Sequence, residues 1–335
     1  MKVLLSRKTN IDLSPRRIEV LPIKVIASLV ELGVHPHAIG VHNIVERRLV
    51  AWNTAEPTCE NTPPAAHIER PSLENELLKL ASRQDRIELC VTDARSAKVE
   101  AIAHAQSGMC VIDATGRRAS LASRKSCPKR QWVARIFHVA RESTQLVDPF
   151  MVTALPFGYV YRAAGQHFCT VGVVGYGRLL AGSSVHVSER LRKSGANWML
   201  EDIAALQWTL AGCKPASLQW ASGEAVTLIG DAALARDALS SQGLASGLAD
   251  TRYAAAMRTP EDRRAIAERS QLARIAHAKS LISIVSTCRW RDEPVWREYL
   301  DFLVGPAQTK NVQANGCLAQ TGSDQSAAKE GARKA

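Results

Sequence analysis

The chain has 335 residues and a formal net charge of +11 at neutral pH. Hydrophobic residues make up 46% of it and charged residues 22%, which is ordinary globular usage and argues against wholesale disorder. No apolar run approaches the roughly 18 residues that a membrane helix needs, and the opening segment is too polar for a secretory signal. We therefore expect a cytoplasmic protein that is not bound to a membrane.

The cysteines and the positive charge narrow the choice of ligands. The eight cysteines are widely spaced, with no C-x-x-C pair and no histidine at ligand spacing, so we expect reduced thiols and no metal site. The positive charge suits an anionic cofactor or an acidic partner protein. We do not expect nucleic acid as a partner, because no helix-turn-helix, zinc-finger or RNP pattern accompanies the charge.

The N-terminal third predicts strands and helices in alternation. Lys2–Leu5 is typical of a short buried strand. Apolar residues at helical spacing predict helices over residues 20–32, ending at Gly33, and over residues 71–81, with a polar, proline-containing segment at 53–66 between them. Three short apolar runs then predict strands over residues 87–91, 99–104 and 109–113.

The remainder predicts a sheet followed by helices. Alternation over residues 131–177 indicates an antiparallel sheet with one exposed face. We expect helix over residues 188–210, an apolar strand over 225–229 and mostly helix from there to about residue 287. The tail beyond Gly305 has hardly any bulky apolar residues and is expected to be disordered.

The strongest motif follows the last predicted strand, in the run LIGDAALARDALSSQGLASGLA. Gly230 and Asp231 form a turn there, where the carboxylate can accept hydrogen bonds from a sugar-like chain of hydroxyl groups. Gln242, Gly243 and Leu244 begin the next helix, and their backbone N–H groups favour a developing negative charge on a ligand. Because Gly243 has no Cβ, a ring system can approach the backbone closely.

This run resembles the second flavin-binding motif of the FAD-dependent monooxygenases. In that family the Gly-Asp pair meets the ribityl chain of FAD, and the following helix points at the isoalloxazine ring. The resemblance thus implies that Gly230, Asp231, Gln242, Gly243 and Leu244 contact FAD. The alternative is an ordinary turn followed by an alanine-rich helix.

A second segment, CVIDATGRR, is similar to the D-A-T-G-R strand end of the halogenase and geranylgeranyl-reductase branches of the same superfamily. It places Asp113 at the carboxyl end of a strand, where α/β sheets receive ligands, and the resemblance implies a contact with FAD. A strand followed by a polar turn is the alternative.

Two further segments resemble parts of this family that approach the flavin. The run PRRIEVLP makes Arg17 and Glu19 candidates, although a solvated charged loop explains it equally well. The run AAHIERP, directly before the second helix, corresponds to a place where the family has an arginine near the flavin. It makes Arg70 a candidate.

The resemblance implies an α/β fold with an FAD-binding, Rossmann-like parallel sheet, an inserted antiparallel sheet on the substrate side and C-terminal helices. Residues 1–130 and 223–305 would form the FAD-binding domain, residues 131–222 the substrate-side sheet and helix, and residues 306–335 the disordered tail. No G-x-G-x-x-G loop occurs near the N-terminus. We therefore expect an incomplete parallel sheet that lacks its first strand and helix, from truncation or a start assigned too late, and weak FAD binding.

The activity that the resemblance implies is a flavin-dependent oxygenase that hydroxylates an aromatic ring. Halogenation is disfavoured, because none of the seven tryptophans lies in a W-x-W-x-I-P signature. Segments at residues 133–135, 156–164 and 169–175 resemble flavoproteins that modify a tryptophan of a partner protein during quinone-cofactor maturation. Sheet core and turns are the plain interpretation of those segments.

Two other functions remain open from the sequence. One is a non-catalytic remnant that acts as a binding or assembly protein, and the other is a flavin-dependent reductase or dehydrogenase of the same fold. No side chain is identified as a general acid or base, since His67, His138 and His167 are each of a kind that is more often structural than catalytic.

Overall fold

The fold is that of a mixed α/β protein. The computed structural model describes residues 2–6, 17–41, 44–116, 119–121, 132–140, 150–196, 198, 208–212, 216–217, 226–236, 239, 242–257 and 259–304. The predicted tail at residues 306–335 lies outside these ranges. None of the helices in this part of the chain combines the length and apolar character that a membrane crossing requires.

Most of the strands belong to one large sheet. In chain order the strands are β1 (Lys2–Ser6), β2 (Ile18–Pro22), β3 (Ile44–Ala51), β4 (Thr58–Glu69), β5 (Glu88–Thr92), β6 (Val111–Asp113), β7 (Trp132–Ala140), β8 (Phe150–Leu155), β9 (Gly158–Ala164), β10 (Phe168–Tyr176), β11 (Trp208–Gly212), β12 (Ala216–Ser217), β13 (Val226–Leu228) and β14 (Leu234–Ala235). The helices are α1 (Ile23–Glu31), α2 (Arg70–Ser82), α3 (Ala94–Gln106), α4 (Ser184–Lys193), α5 (Gly243–Ala256), α6 (Pro260–Ser286) and α7 (294–304).

The large sheet has eight strands in the order β11-β7-β10-β9-β8-β3-β4-β2. Its neighbours pair antiparallel except β3 and β8, which are parallel. Aromatic and β-branched residues dominate β8 to β10, as is usual for strands. The sheet takes β2 to β4 from one side of the predicted boundary at residue 130 and β7 to β11 from the other. The division into domains stays a prediction.

Helices cover both faces of this sheet. On one face Val187 and Leu191 of α4 pack against Phe137 of β7. On the other face Val285 of α6 and Trp296 of α7 join the core. As a result β10 is buried along its whole length. The prediction of one exposed face is therefore wrong, because the sheet is covered by α4 on one side and by α6 and α7 on the other.

Two parallel strand pairs lie apart from the large sheet. β1 pairs with β5, and β6 pairs with β13. Helix α3 contacts both β1 and β6, and no ladder joins the two pairs among the residues described. Small parallel sheets, one large sheet and C-terminal helices together confirm the predicted α/β class.

Four local predictions need correction. Residues 20–22 are strand, so the first helix begins at Ile23, because Val20 pairs with His67 of β4. The polar segment at 53–66 contributes most of β4. Residues 99–104 are helical, within α3, whose N-terminus is capped by the Asp93 carboxylate. Residues 208–210, expected to end a helix, belong to β11 because they pair with β7.

Candidate functional site

A cavity of about 640 Å³ lies between the large sheet and the turn that follows β13. Much of its sheet side is apolar and aromatic, with Trp52, Ile136, Phe150, Val152, Tyr159 and Tyr161 among the lining side chains, and the charged residues Glu19, Arg48 and Glu60 line the rest of that side. Its opposite side is formed by the turn at Gly230 and Asp231 and by the start of α5. Seven of the eight cofactor-contacting residues predicted from the sequence line this cavity, namely Arg17, Arg70, Gly230, Asp231, Gln242, Gly243 and Leu244.

The parallel pairing of β6 and β13 brings two of the predicted motifs together. Leu228 pairs with Asp113, and the N–H of Ile229 donates to the carbonyl of Asp113 at 3.1 Å. The carboxyl ends of both strands therefore lie at one edge. Ala114 and Gly116 line the same cavity as the turn after β13, so the two motifs converge as predicted.

Gly230 lets the turn pack directly on α5. Its φ is +56°, a conformation that side-chain-bearing residues rarely adopt, and a Cβ placed there would lie 3.5 Å from the Cα of Gly247. Its N–H donates to Oδ2 of Asp250 at 3.0 Å. The turn and the helix are thus held in backbone contact, which fixes Asp231 relative to α5.

The N-terminus of α5 faces the cavity. Gln242, Gly243 and Leu244 all line it, and the N–H of Ser246 donates to the carbonyl of Gln242 at 3.0 Å. The N–H groups of Gly243 and Leu244 precede that bond and have no acceptor within the helix. A Cβ on Gly243 would lie 3.6 Å from Oδ1 of Asp231. A carboxylate and a helix N-terminus therefore meet at one end of the cavity.

Arg17 and Arg70 meet through Glu19. The backbone N–H of Arg70 donates to the backbone carbonyl of Arg17 at 2.9 Å. The guanidinium groups of both arginines contact the Glu19 carboxylate, and the distance from Arg70 Nη1 to Glu19 Oε2 is 3.4 Å. Nε of Arg70 also donates to Oε1 of Glu74 at 2.6 Å. The two arginines lie together at the cavity wall, and the two carboxylates offset their charge.

Comparison with known proteins gives structural matches alone. Neither a protein-family model nor a curated protein sequence matches this chain. Among solved structures, the peptidyl tryptophan dihydroxylase QhpG, essential for tryptophylquinone cofactor biogenesis, is 16% identical, with a TM-score of 0.63 over 88% of this chain and 72% of that one. A tryptophan halogenase from Shewanella frigidimarina is 11% identical, with a TM-score of 0.67 over 93% and 76%. PqsL, a probable FAD-dependent monooxygenase from Pseudomonas aeruginosa, is 14% identical, with a TM-score of 0.60 over 90% and 92%.

The chain has the fold of the FAD-dependent monooxygenases and halogenases. The resemblance drawn from the motifs is thereby confirmed at the level of the fold.

Within this monooxygenase–halogenase fold, Asp113 lies behind the cavity wall. Its side chain is 1% exposed. One carboxylate oxygen accepts from the N–H and the hydroxyl of Thr115, at 2.8 and 2.7 Å, and the other accepts from the N–H of Leu121 at 2.9 Å. These bonds shape the turn that carries Ala114 and Gly116 to the cavity. A direct contact of Asp113 with a cofactor stays a prediction.

Sequence reasoning missed several residues of the cavity. Tyr159 and Tyr161 alternate along β9, and this period indicates a shared face, but only the fold shows that the face is the cavity wall. Arg236 follows β14, lines the cavity and donates through Nη1 to Oε1 of Gln242 at 2.9 Å. No local pattern marks it. The three histidines considered from the sequence, His67, His138 and His167, do not line the cavity.

None of the described cysteines lines the cavity. No disulfide joins the described cysteines Cys59, Cys90, Cys110, Cys169 and Cys288, and burial raises the pKa of the Cys288 thiol to about 11. The part of the chain that the structure describes contains no group of histidine, cysteine, aspartate or glutamate that could hold a metal ion.

His277, on α6, is buried and 6% exposed. Burial, together with the positive charge of Arg236, lowers the pKa of His277 to about 4, whereas a histidine in an unfolded chain has a pKa of about 6.5. Between about pH 4 and about pH 6.5, His277 is therefore mostly neutral in the native state and mostly protonated in the unfolded state. Stability from this group is complete above about pH 6.5 and is lost as the pH falls towards 4.

We expect His277→Gln to flatten the acid side of the stability profile. Between about pH 7.5 and about pH 4.5 the loss of unfolding free energy should be about 2–3 kcal/mol smaller in the variant than in the wild type. Denaturant titrations at the two pH values measure it. His104→Gln, at a half-exposed histidine on α3, serves as the control. Equal acid losses in His277→Gln and the wild type would refute the assignment.

Proposed function

We propose that this chain binds FAD in the cavity and acts as a flavin-dependent oxygenase that hydroxylates an aromatic ring. The observation that carries the proposal is the meeting of Asp231 with the N-terminus of α5 at one end of an aromatic-lined cavity. The fold shared with FAD-dependent monooxygenases and halogenases supports it.

The residues present fit the isoalloxazine ring and the ribityl chain. Gly243 leaves the backbone at the start of α5 open to a flat ring, and Asp231 lies beside it as an acceptor for hydroxyl groups. The cavity of about 640 Å³ has the size of a small-molecule site. Arg17 and Arg70 line the same cavity and would donate to polar groups of the cofactor.

The chain's own residues would orient and shield the reaction. A reduced flavin, when bound, supplies the electrons for the insertion of one atom of molecular oxygen into a substrate. The first turn of α5 would stabilise negative charge on the ring that lies against it. The apolar wall from Val152, Tyr159 and Tyr161 would exclude water and hold the substrate.

The walls favour an aromatic substrate. The ring centroids of Phe150 and Tyr161 lie 6.3 Å apart, and those of Trp52 and Tyr159 lie 6.4 Å apart. Both pairs can therefore pack edges or faces against a further aromatic ring. Similarity to the fold of QhpG supports a tryptophan of a partner protein as one substrate class. The net charge of +11 suits an acidic partner.

An oxygen-labelling experiment tests the reaction. The protein is mixed with FAD, a flavin reductase with NADH, and isotopically labelled molecular oxygen. Indole, free tryptophan and a tryptophan-containing acidic peptide are supplied as substrates. We expect one labelled oxygen atom in the aromatic ring of a substrate, detected by mass spectrometry. Label found solely in hydrogen peroxide, with flavin turnover intact, would contradict the oxygenase and favour a reductase.

A further inference from the structure

Arg236 brings a positive charge to the end of the cavity where α5 begins. Arg236 lines the cavity, and its Nη1 donates to Oε1 of Gln242 at 2.9 Å, directly before the first turn of the helix. Arginine stays protonated in proteins at neutral pH. The side chain therefore adds its charge to the positive end of the helix dipole, in the same part of the cavity.

The groups around Arg236 hold it as a cation. Burial lowers the pKa of Arg236, and the carboxylates of Asp250 and Asp231 oppose that change. His277 of α6 interacts electrostatically with Arg236, and its low pKa keeps it neutral near pH 7. Oδ2 of Asp250 also accepts a hydrogen bond from the backbone N–H of Gly230 at 3.0 Å, so part of the hydrogen-bonding capacity of this carboxylate is used in the turn.

Reduction of a flavin places negative charge on the N1–C2 carbonyl edge of its pyrimidine ring, and nearby protein charges tune the electronics there. The start of α5 and Arg236 are two sources of positive potential at one end of this cavity. We propose that Arg236 contacts this pyrimidine edge and makes the site bind reduced flavin more tightly than oxidised flavin. The inference rests on the proposed function, since it requires that a flavin occupies the cavity.

The test is the reduction potential of the bound flavin in Arg236→Gln. We expect the affinity for reduced flavin to fall about tenfold more than the affinity for oxidised flavin, which lowers the two-electron potential by about 30 mV. Arg236→Lys keeps the charge and should restore most of the potential. The measurement is equilibration with a redox dye of known potential, using FAD and, in parallel, riboflavin.

Arg252→Gln is the matched control. It also removes one positive charge, here from α5, but the side chain of Arg252 is 61% exposed and its Nη2 pairs with Oε2 of Glu31 at 2.7 Å. We expect no change of potential in it. Thermal melts of all the apo variants show whether they fold. If Arg236→Gln does not fold, the potential of Arg236→Lys tests the inference instead. A shift of about 30 mV in Arg236→Lys, which keeps the charge, would overturn the inference.

Failure of this inference and failure of the proposed function give different results. A wild-type protein that binds neither FAD nor riboflavin would overturn both. A wild-type protein that binds flavin, with an unchanged potential in Arg236→Gln, would overturn the role of Arg236 and leave the proposed function standing.

Discussion

Replacing Trp296 by alanine should lower the free energy of unfolding by about 3–5 kcal/mol, the range for removing a buried large aromatic side chain. Trp296 is 0% exposed, and its Nε1 donates to the carbonyl of Leu155 at 2.7 Å. Its ring packs edge-on against Trp52 at 5.6 Å between centroids. The substitution therefore opens a cavity and leaves a carbonyl at the end of β8 without its donor. Chemical denaturation followed by circular dichroism measures the loss.

Trp290→Ala is the control for the Trp296 prediction. Trp290 also donates from Nε1, to the carbonyl of Ala154 at 3.1 Å, but its side chain is half-buried. We expect it to lose less than half as much stability. Similar losses of unfolding free energy in the two variants, or a loss below about 1 kcal/mol for Trp296→Ala, would contradict the view that Trp296 holds α7 against the sheet.

Asp231→Ala should weaken flavin binding by about 1.5–3 kcal/mol, the range for hydrogen bonds to a charged group. The reason is that the carboxylate lies at the start of α5, where it can accept from the ribityl hydroxyl groups. The fold should survive, because Asp231 is half-buried at the cavity wall and contributes little to the core. Titration with FAD, followed by flavin fluorescence, measures the affinity.

Asp231→Asn keeps the shape of the side chain and removes its charge, so its affinity should fall between those of the wild type and Asp231→Ala. A thermal melt of each apo protein accompanies the titration. Unchanged affinity, or a collapse of the apo melt, would show that Asp231 is a structural residue such as a helix cap.

The placement of the two motifs could be predicted from the sequence because it depends on backbone rules. Asp113 and Gly230 each follow a short apolar run, and parallel neighbours end at the same edge of a sheet. The start of α5 at Gly243 was predicted from the motif itself, in which Gln242, Gly243 and Leu244 begin a helix. The aromatic and β-branched residues of β8 to β10 likewise predict strands.

The rest depends on tertiary contacts that the sequence does not display. Residues 58–69 are polar and carry two prolines, yet they form β4 because β2 and β3 pair with both of its edges. Residues 99–104 are an exception, because they are apolar enough for a strand but the Asp93 cap and the length of the segment, both visible in the sequence, favour helix. Arg236 belongs to the site because its Nη1 donates to Gln242 at the start of α5, a contact that no local pattern indicates.

The most direct test of a flavin site in this cavity is a crystal structure of the protein soaked with FAD. The account predicts density for the isoalloxazine ring against Gly243 and Leu244, with the ribityl chain at Asp231 and the pyrimidine edge towards Arg236. Flavin density outside the cavity, or a ring bound with Asp231 and the start of α5 left untouched, would contradict it.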